Sequence, residues 1–227
     1  MIYLLGSIPN PNFALLLDEQ INVGLSTLTK RDILIFYSSD CLLSSEEFVS
    51  WLSERPYTSV ILDADDTLHK SVTDRQITSR FGSRAYAFAD SVFVIPDCGM
   101  YKISGKKILI CSLGRAEGRF KKEYIARTEK QMIRFSQACK RHDFTADYVI
   151  TRIPPHIVSS SVAHCIGFDM HSLFLDKLAK HGTFERWFFT SLKTDKIYMD
   201  KYYCVHSNIT GIDGSKLIKY SDMVLDK

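Results

Sequence analysis

The sequence predicts an α/β fold in which two β-sheets pack face to face with helices outside. Three observations predict it. Short apolar runs ending in polar turns recur along the chain. Stretches with apolar residues at helical spacing separate several of them. The resulting order is βαβαβ, a hairpin, a helix, then βαβββ, which layers naturally as sheets covered by helices. No linker rich in Pro, Gly or Ser interrupts this order, so residues 1–227 are expected to form one domain with a full core.

Ile2 to Leu5 reads as the first strand, running into Gly6-Ser7-Ile8-Pro9-Asn10. Phe13 to Ile21 suits a helix, with apolar residues at 13, 15, 16, 17 and 21. Asp32 to Tyr37 is a second buried strand and ends in Ser38-Ser39-Asp40-Cys41. Ser44-Ser45-Glu46-Glu47 opens a helix to about Ser53, with a serine cap and acids in its first turn. Val60 to Leu62 is the third buried strand. The segment from Ser71 to Arg84 is polar and carries no clear period.

Ser91 to Ile95 reads as a strand. Met100 to Ser104 and Lys106 to Leu113 flank Gly105 as a β-hairpin. Glu117 to Arg141 is a long basic helix with Tyr124, Ile125, Met132, Ile133, Phe135 and Cys139 on one face. Asp147 to Thr151 is a buried strand that ends at Arg152-Ile153-Pro154-Pro155-His156. His171 to His181 is a helix, and Trp187 to Leu192 a strand. Tyr198 to Asn208 and Leu217 to Tyr220 close the chain as antiparallel β.

Composition excludes several classes. The net charge of +3 and pI near 8.4 are too mild to indicate nucleic acid. The apolar run Ile2 to Leu5 stops at Gly6 and has no basic region before it, so it is not expected to act as a signal peptide. No later stretch approaches a membrane span, and the expected location is cytoplasmic. Cys41, Cys98, Cys111, Cys139, Cys165 and Cys204 form no C-x-x-C pair, which suits reduced thiols. His156, His164 and His171 cluster in sequence. They read as surface or capping groups, with a zinc site beside Cys165 as the alternative. The basic residues from Lys121 to Arg141 read as a solvated helix face, and the aromatic group from Phe184 to Phe189 as core.

The chemistry concentrates at Ser59 to Lys70, where an apolar strand meets Asp63, Asp65 and Asp66. Ligands of open α/β sheets sit beyond the carboxyl ends of strands, and carboxylates there suit Mg²⁺ or Mn²⁺. The same acids could instead cap a turn or the next helix. Five strands end in polar turns, at Ser7, Ser39, Asp65, Arg152 and Ser191.

Two resemblances compete for these residues. Asp63-Ala64-Asp65-Asp66-Thr67-Leu68 resembles the D-x-D-x-T-L motif of the haloacid dehalogenase phosphatases, which implies Asp63 as nucleophile and Asp65 as general acid. That family also needs a later strand ending in an acidic pair. Here the later strands end in Thr151-Arg152 and Thr190-Ser191.

The order of strands and turns from Met1 to about Ile212 resembles the calcineurin-like metallophosphoesterases, especially small bacterial and phage members. Gly6-Ser7-Ile8-Pro9 stands where they have G-D-x-H, and Asp32 to Ser39 where they have D-I-L-I and a G-D turn. Ala64 to Thr67 replaces G-N-H-E, Thr151 to Pro155 replaces T-H-x-P-P, and Trp187 to Lys193 replaces W-x-F-G-H-x-H. The resemblance implies a four-layer α/β/β/α sandwich.

It also implies a site holding two metals about 4 Å apart, which activate a water and hold phosphate. The corresponding positions here are Ser7, Pro9, Ser39, Asp65, Arg152, Ser191 and Lys193, with Asp66 in place of the catalytic histidine. Pro9 offers no donor atom. Arg152 and Lys193 are cations where metals need ligands. The expectation is therefore a pseudoenzyme without metal or cofactor, acting as a binding or scaffolding module for a protein partner. Arg152 and Lys193 would either pair with Asp65 and Asp66 and simply fill the space, or, with the serine hydroxyls, weakly hold phosphate or a nucleotide. Residual phosphoesterase activity through Asp65 and Asp66, or catalysis through Asp63, is the alternative.

Overall fold

A computed structural model describes residues 1–8, 17–18, 23–38, 40–63, 72, 74–112, 122–161 and 170–218. The chain is α/β with two mixed sheets. Its strands are β1 (Ile2–Ile8), β2 (Ile33–Ser38), β3 (Thr58–Asp63), β4 (Gln76–Thr78), β5 (Ala85–Ala89), β6 (Val92–Ile95) and β7 (Gly99–Ile103). They continue as β8 (Lys106–Cys111), β9 (Tyr148–Thr151), β10 (Arg186–Phe189), β11 (Lys196–Tyr198), β12 (Tyr202–Cys204), β13 (Ile209–Gly211) and β14 (Lys216–Ile218). The helices are α1 (Asp40–Leu43), α2 (Glu46–Ser53), α3 (Lys122–Arg141), α4 (His156–Ser159) and α5 (Met170–His181), with a 3-10 turn at Val23–Thr27.

The larger sheet runs β14-β13-β1-β2-β3-β6-β5-β4, and the smaller β11-β12-β10-β9-β8-β7. Each has a parallel centre edged by antiparallel strands. β1, β2, β3 and β6 are parallel in one; β8, β9, β10 and β12 are parallel in the other. Central strands covered on both faces read as unbroken apolar runs, and the period of two decides which face each residue serves. In β2, Ile33, Ile35 and Tyr37 join one apolar cluster while Leu34 and Phe36 join another.

The cluster holding Ile35 and Val60 also contains Ile108, Ile110, Ile150 and Phe188, so both sheets contribute to one core. The outer cluster of the larger sheet takes in Val49 and Leu52 of α2. That of the smaller sheet takes in Phe135 and Cys139 of α3, Val158 of α4, and Leu175 and Leu178 of α5.

Local signals account for several elements. The Ser45 hydroxyl accepts from Phe48 N–H at the start of α2, and Glu46 and Glu47 fill its first turn. Ser104 and Gly105 both have positive φ, the turn that matches the twist of the β7–β8 hairpin. Met199 and Asp200 do the same between β11 and β12.

The structure differs from the sequence reading in three places. β12 is not part of a purely antiparallel ending: it lies parallel to β10, while β11 pairs with it antiparallel. The strand expected at Trp187 to Leu192 ends at Phe189. The polar segment after Ser71 contains β4, and β5 follows it; both extend the larger sheet beyond β6. β4 carries little apolar signal because it is an exposed edge, whereas β5, Ala-Tyr-Ala-Phe-Ala, is apolar and lies inside it. The long helix is described from Lys122, and the helix expected at Phe13 to Ile21 lies almost wholly outside the described residues. Among the described residues, no helix is long and apolar enough to cross a membrane.

Candidate functional site

The parallel strands bring their carboxyl ends into two rows. In the larger sheet, Ile8, Ser38 and Asp63 stand side by side. Ser38 is fully buried and its hydroxyl donates to the Ile8 carbonyl at 3.5 Å. Ser7, opposite Tyr37, is half-buried beyond a register shift in β1. In the smaller sheet the row is Cys111, Thr151, Phe189 and Cys204. The ladder continues one step further. Arg152 N–H donates to the Cys111 carbonyl and Thr190 N–H to the Arg152 carbonyl, so Ser112, Arg152 and Thr190 form the rim.

The two rows meet. Burial pushes the Tyr37 phenol well above its ordinary value, the Cys111 and Cys98 thiols add to this, and the Arg152 guanidinium opposes it. Arg152, on one sheet, therefore acts electrostatically on the end of β2 in the other. Tyr37 Oη and Ser112 Oγ are buried and have no hydrogen-bond partner among the described residues. An orphaned buried hydroxyl costs free energy and marks a position where a further polar group would fit.

The predicted site residues separate as follows. Arg152 is half-buried on the rim, and Ser191 and Lys193 are exposed on the loop after β10. That loop adjoins β9, so Arg152 and Lys193 do belong to neighbouring strand ends. Pro9, Ser39, Asp65 and Asp66 lie outside the described residues, as does His164 of the histidine group. Among the described residues, no three His, Cys, Asp or Glu side chains gather in a way that could hold a metal ion.

The loop behind the rim is held by Asp195. Its carboxylate accepts from the N–H groups of His206, Ser207 and Asn208, at 2.7–3.3 Å, and from the Ser207 hydroxyl. This presses residue 206 onto β1: a Cβ on Gly6 would stand 2.2 Å from the His206 carbonyl oxygen. Only glycine leaves room for that approach.

A second feature adjoins the rim. A cleft of about 360 Å³ runs between β7, the loop before β5 and the carboxyl half of α3. Arg84 and Arg134 both bind Asp97 there, and Gln131 adds a bond at 2.6 Å. Burial alone would raise the Asp97 carboxyl, but the bonds from Arg84 and Gln131 and the two guanidinium charges outweigh it and hold it below the usual carboxylate range. Arg141 and His142 extend the cleft. Sequence reasoning missed this cluster. The available signal was Gln131, Arg134, Ala138 and Arg141, one stripe at helical spacing.

Comparison of the chain with family models, with curated proteins and with solved structures returned no match.

Proposed function

We propose that the chain is a non-catalytic relative of the metallophosphoesterases, a single four-layer α/β/β/α domain whose carboxyl rim binds an anion and which serves as a binding or scaffolding module. The observation that carries this reading is that Arg152 stands on the strand end next to Ser112, whose buried hydroxyl has no hydrogen-bond partner among the described residues. A guanidinium and a hydroxyl donor suit phosphate oxygens. They do not suit divalent metals: Arg152 and Lys193 have no lone pair to give and would repel the ions. No catalytic step is therefore assigned to a metal at these residues.

The ligand class is a phosphate, free or as part of a nucleotide. Lys193, exposed on the neighbouring loop, supplies a second charge. An exposed and shared site of this kind gives affinity of about 1 mM. Titrating phosphate and a nucleotide into wild type and into Arg152→Ala/Lys193→Ala, read by NMR shifts, tests the site. A saturable response in wild type and none in the double variant supports it. No response in wild type, or an equal response in the variant, removes it.

Asp63 supports a second reading. It is buried at the carboxyl end of a central parallel strand, where a nucleophilic carboxylate would sit. Hydrolysis of p-nitrophenyl phosphate that Asp63→Asn abolishes would favour this reading. Metal-dependent turnover lost in Asp65→Ala would restore the phosphoesterase reading.

A further inference from the structure

The β7–β8 hairpin pairs Ile103 with Lys106 and continues in register to Gly99 and Ile110. One step further, Cys98 faces Cys111. Their sulfurs lie 3.2 Å apart and both are thiols. Directly opposed residues of antiparallel strands have Cα atoms about 5 Å apart, inside the range a disulfide accepts. The two thiols are not equivalent. Cys98 lines the basic cleft, whereas Cys111 stands behind it in the ladder, opposite Thr151 of β9. Both are buried, Cys98 6 % and Cys111 2 % exposed, so a small reagent entering from the cleft meets Cys98 first.

We propose that Cys98 and Cys111 form an oxidation site that takes a hydroperoxide from the cleft and closes to a disulfide. The Cys98 thiolate sulfur attacks one peroxide oxygen and breaks the O–O bond. Cys98 becomes a sulfenic acid, and the departing oxygen leaves as alcohol, or as water when the reagent is hydrogen peroxide. The Cys111 thiolate then attacks the Cys98 sulfur and expels its hydroxyl as water. In balance, two thiols and one hydroperoxide give one disulfide, one alcohol and one water. The two electrons lost by sulfur reduce the O–O bond.

Closure draws the sulfurs from 3.2 Å to about 2 Å. Cys111 is held between β7 and β9, so Cys98 is the one to move. Its N–H donates to Gln131 Oε1 at 2.9 Å, and its neighbour Asp97 binds Arg84 and Arg134. Oxidation therefore pulls on the segment that organises the cleft's cations. This site stands apart from the anion reading: Cys98, Cys111 and the hairpin register would be unchanged if the rim bound nothing.

The test treats the folded full chain with hydrogen peroxide and maps peptides without reduction. The expected result is a peptide pair joined through Cys98 and Cys111, lighter by two hydrogens. In Cys111→Ser the sulfenic acid should persist on Cys98 and react with dimedone, while Cys98→Ser should give neither product. Oxidation of other cysteines with Cys98 and Cys111 left as thiols in folded wild type overturns the proposal. So does dimedone labelling of Cys111 ahead of Cys98. The wild-type peptide map decides the matter even where a serine variant does not fold.

Discussion

The Trp187 indole N–H donates to the Thr151 hydroxyl at 2.7 Å, and the same hydroxyl donates to the Ile153 carbonyl at 2.6 Å. One buried oxygen thus ties β10 to the turn that carries Arg152. The strand end is thereby fixed by two short buried bonds, as the proposed anion site would require.

Thr151→Val keeps the shape but removes both bonds and leaves the buried indole N–H and Ile153 carbonyl without that partner. The expected loss is about 1–3 kcal/mol, seen as a lower urea midpoint at unchanged slope. A change below about 0.5 kcal/mol would show that the hydroxyl holds nothing.

Asp195→Ala strips acceptors from three backbone N–H groups at once. The expected cost is about 2–3 kcal/mol, with hydrogen exchange rising at residues 206–208 and at Gly6. Asp195→Asn keeps one carbonyl oxygen and should fall between. Equal stability in all three proteins would mean that the loop needs no clamp.

Asp97 sets a pH dependence. Its carboxyl is lowered in the folded chain relative to the unfolded one, so its contribution to stability is fully present above about pH 4. It is lost as the pH falls through the lower folded value. The stability difference between wild type and Asp97→Asn, followed by urea unfolding, should be constant at neutral pH and shrink below about pH 4. A difference that stays flat into strong acid would contradict the assignment.

On the proposed anion-binding reading, folding should not depend on a divalent metal, because the Arg152 and Lys193 charges would repel the ion. EDTA is expected to leave the melting temperature unchanged. A fall of several degrees would point to a bound ion contributing to the native state.

The parts legible in the sequence were those decided locally. Ser45, Glu46 and Glu47 announce α2, and Gly105 announces its hairpin, because caps and turns are encoded within a few residues. The apolar runs in β2, β3 and β9 show strands buried on both faces. Partner choice was not legible: nothing in Tyr202 to Cys204 says that the strand lies parallel to β10 rather than antiparallel. β4 escaped because an exposed edge has no apolar pattern. At the site, Arg152 and Lys193 were visible as residues out of character. Ser112 and Asp97 matter only through neighbours distant in sequence. The Cys98–Cys111 pair was readable in principle, by counting outward from Ser104 and Gly105.

The pairing of Tyr3 with Gly211 sets the order in which the molecule can be assembled. β1 sits between β2, which follows it closely in the chain, and β13, which is made only after every strand of the smaller sheet. Until then one side of β1 presents open backbone groups to whatever strand is near. The nascent chain thus carries a vacant strand position until the smaller sheet's strands have all been made. A second nascent copy on the same message could fill it, and a chaperone that shields extended backbone would be the natural guard against that exchange.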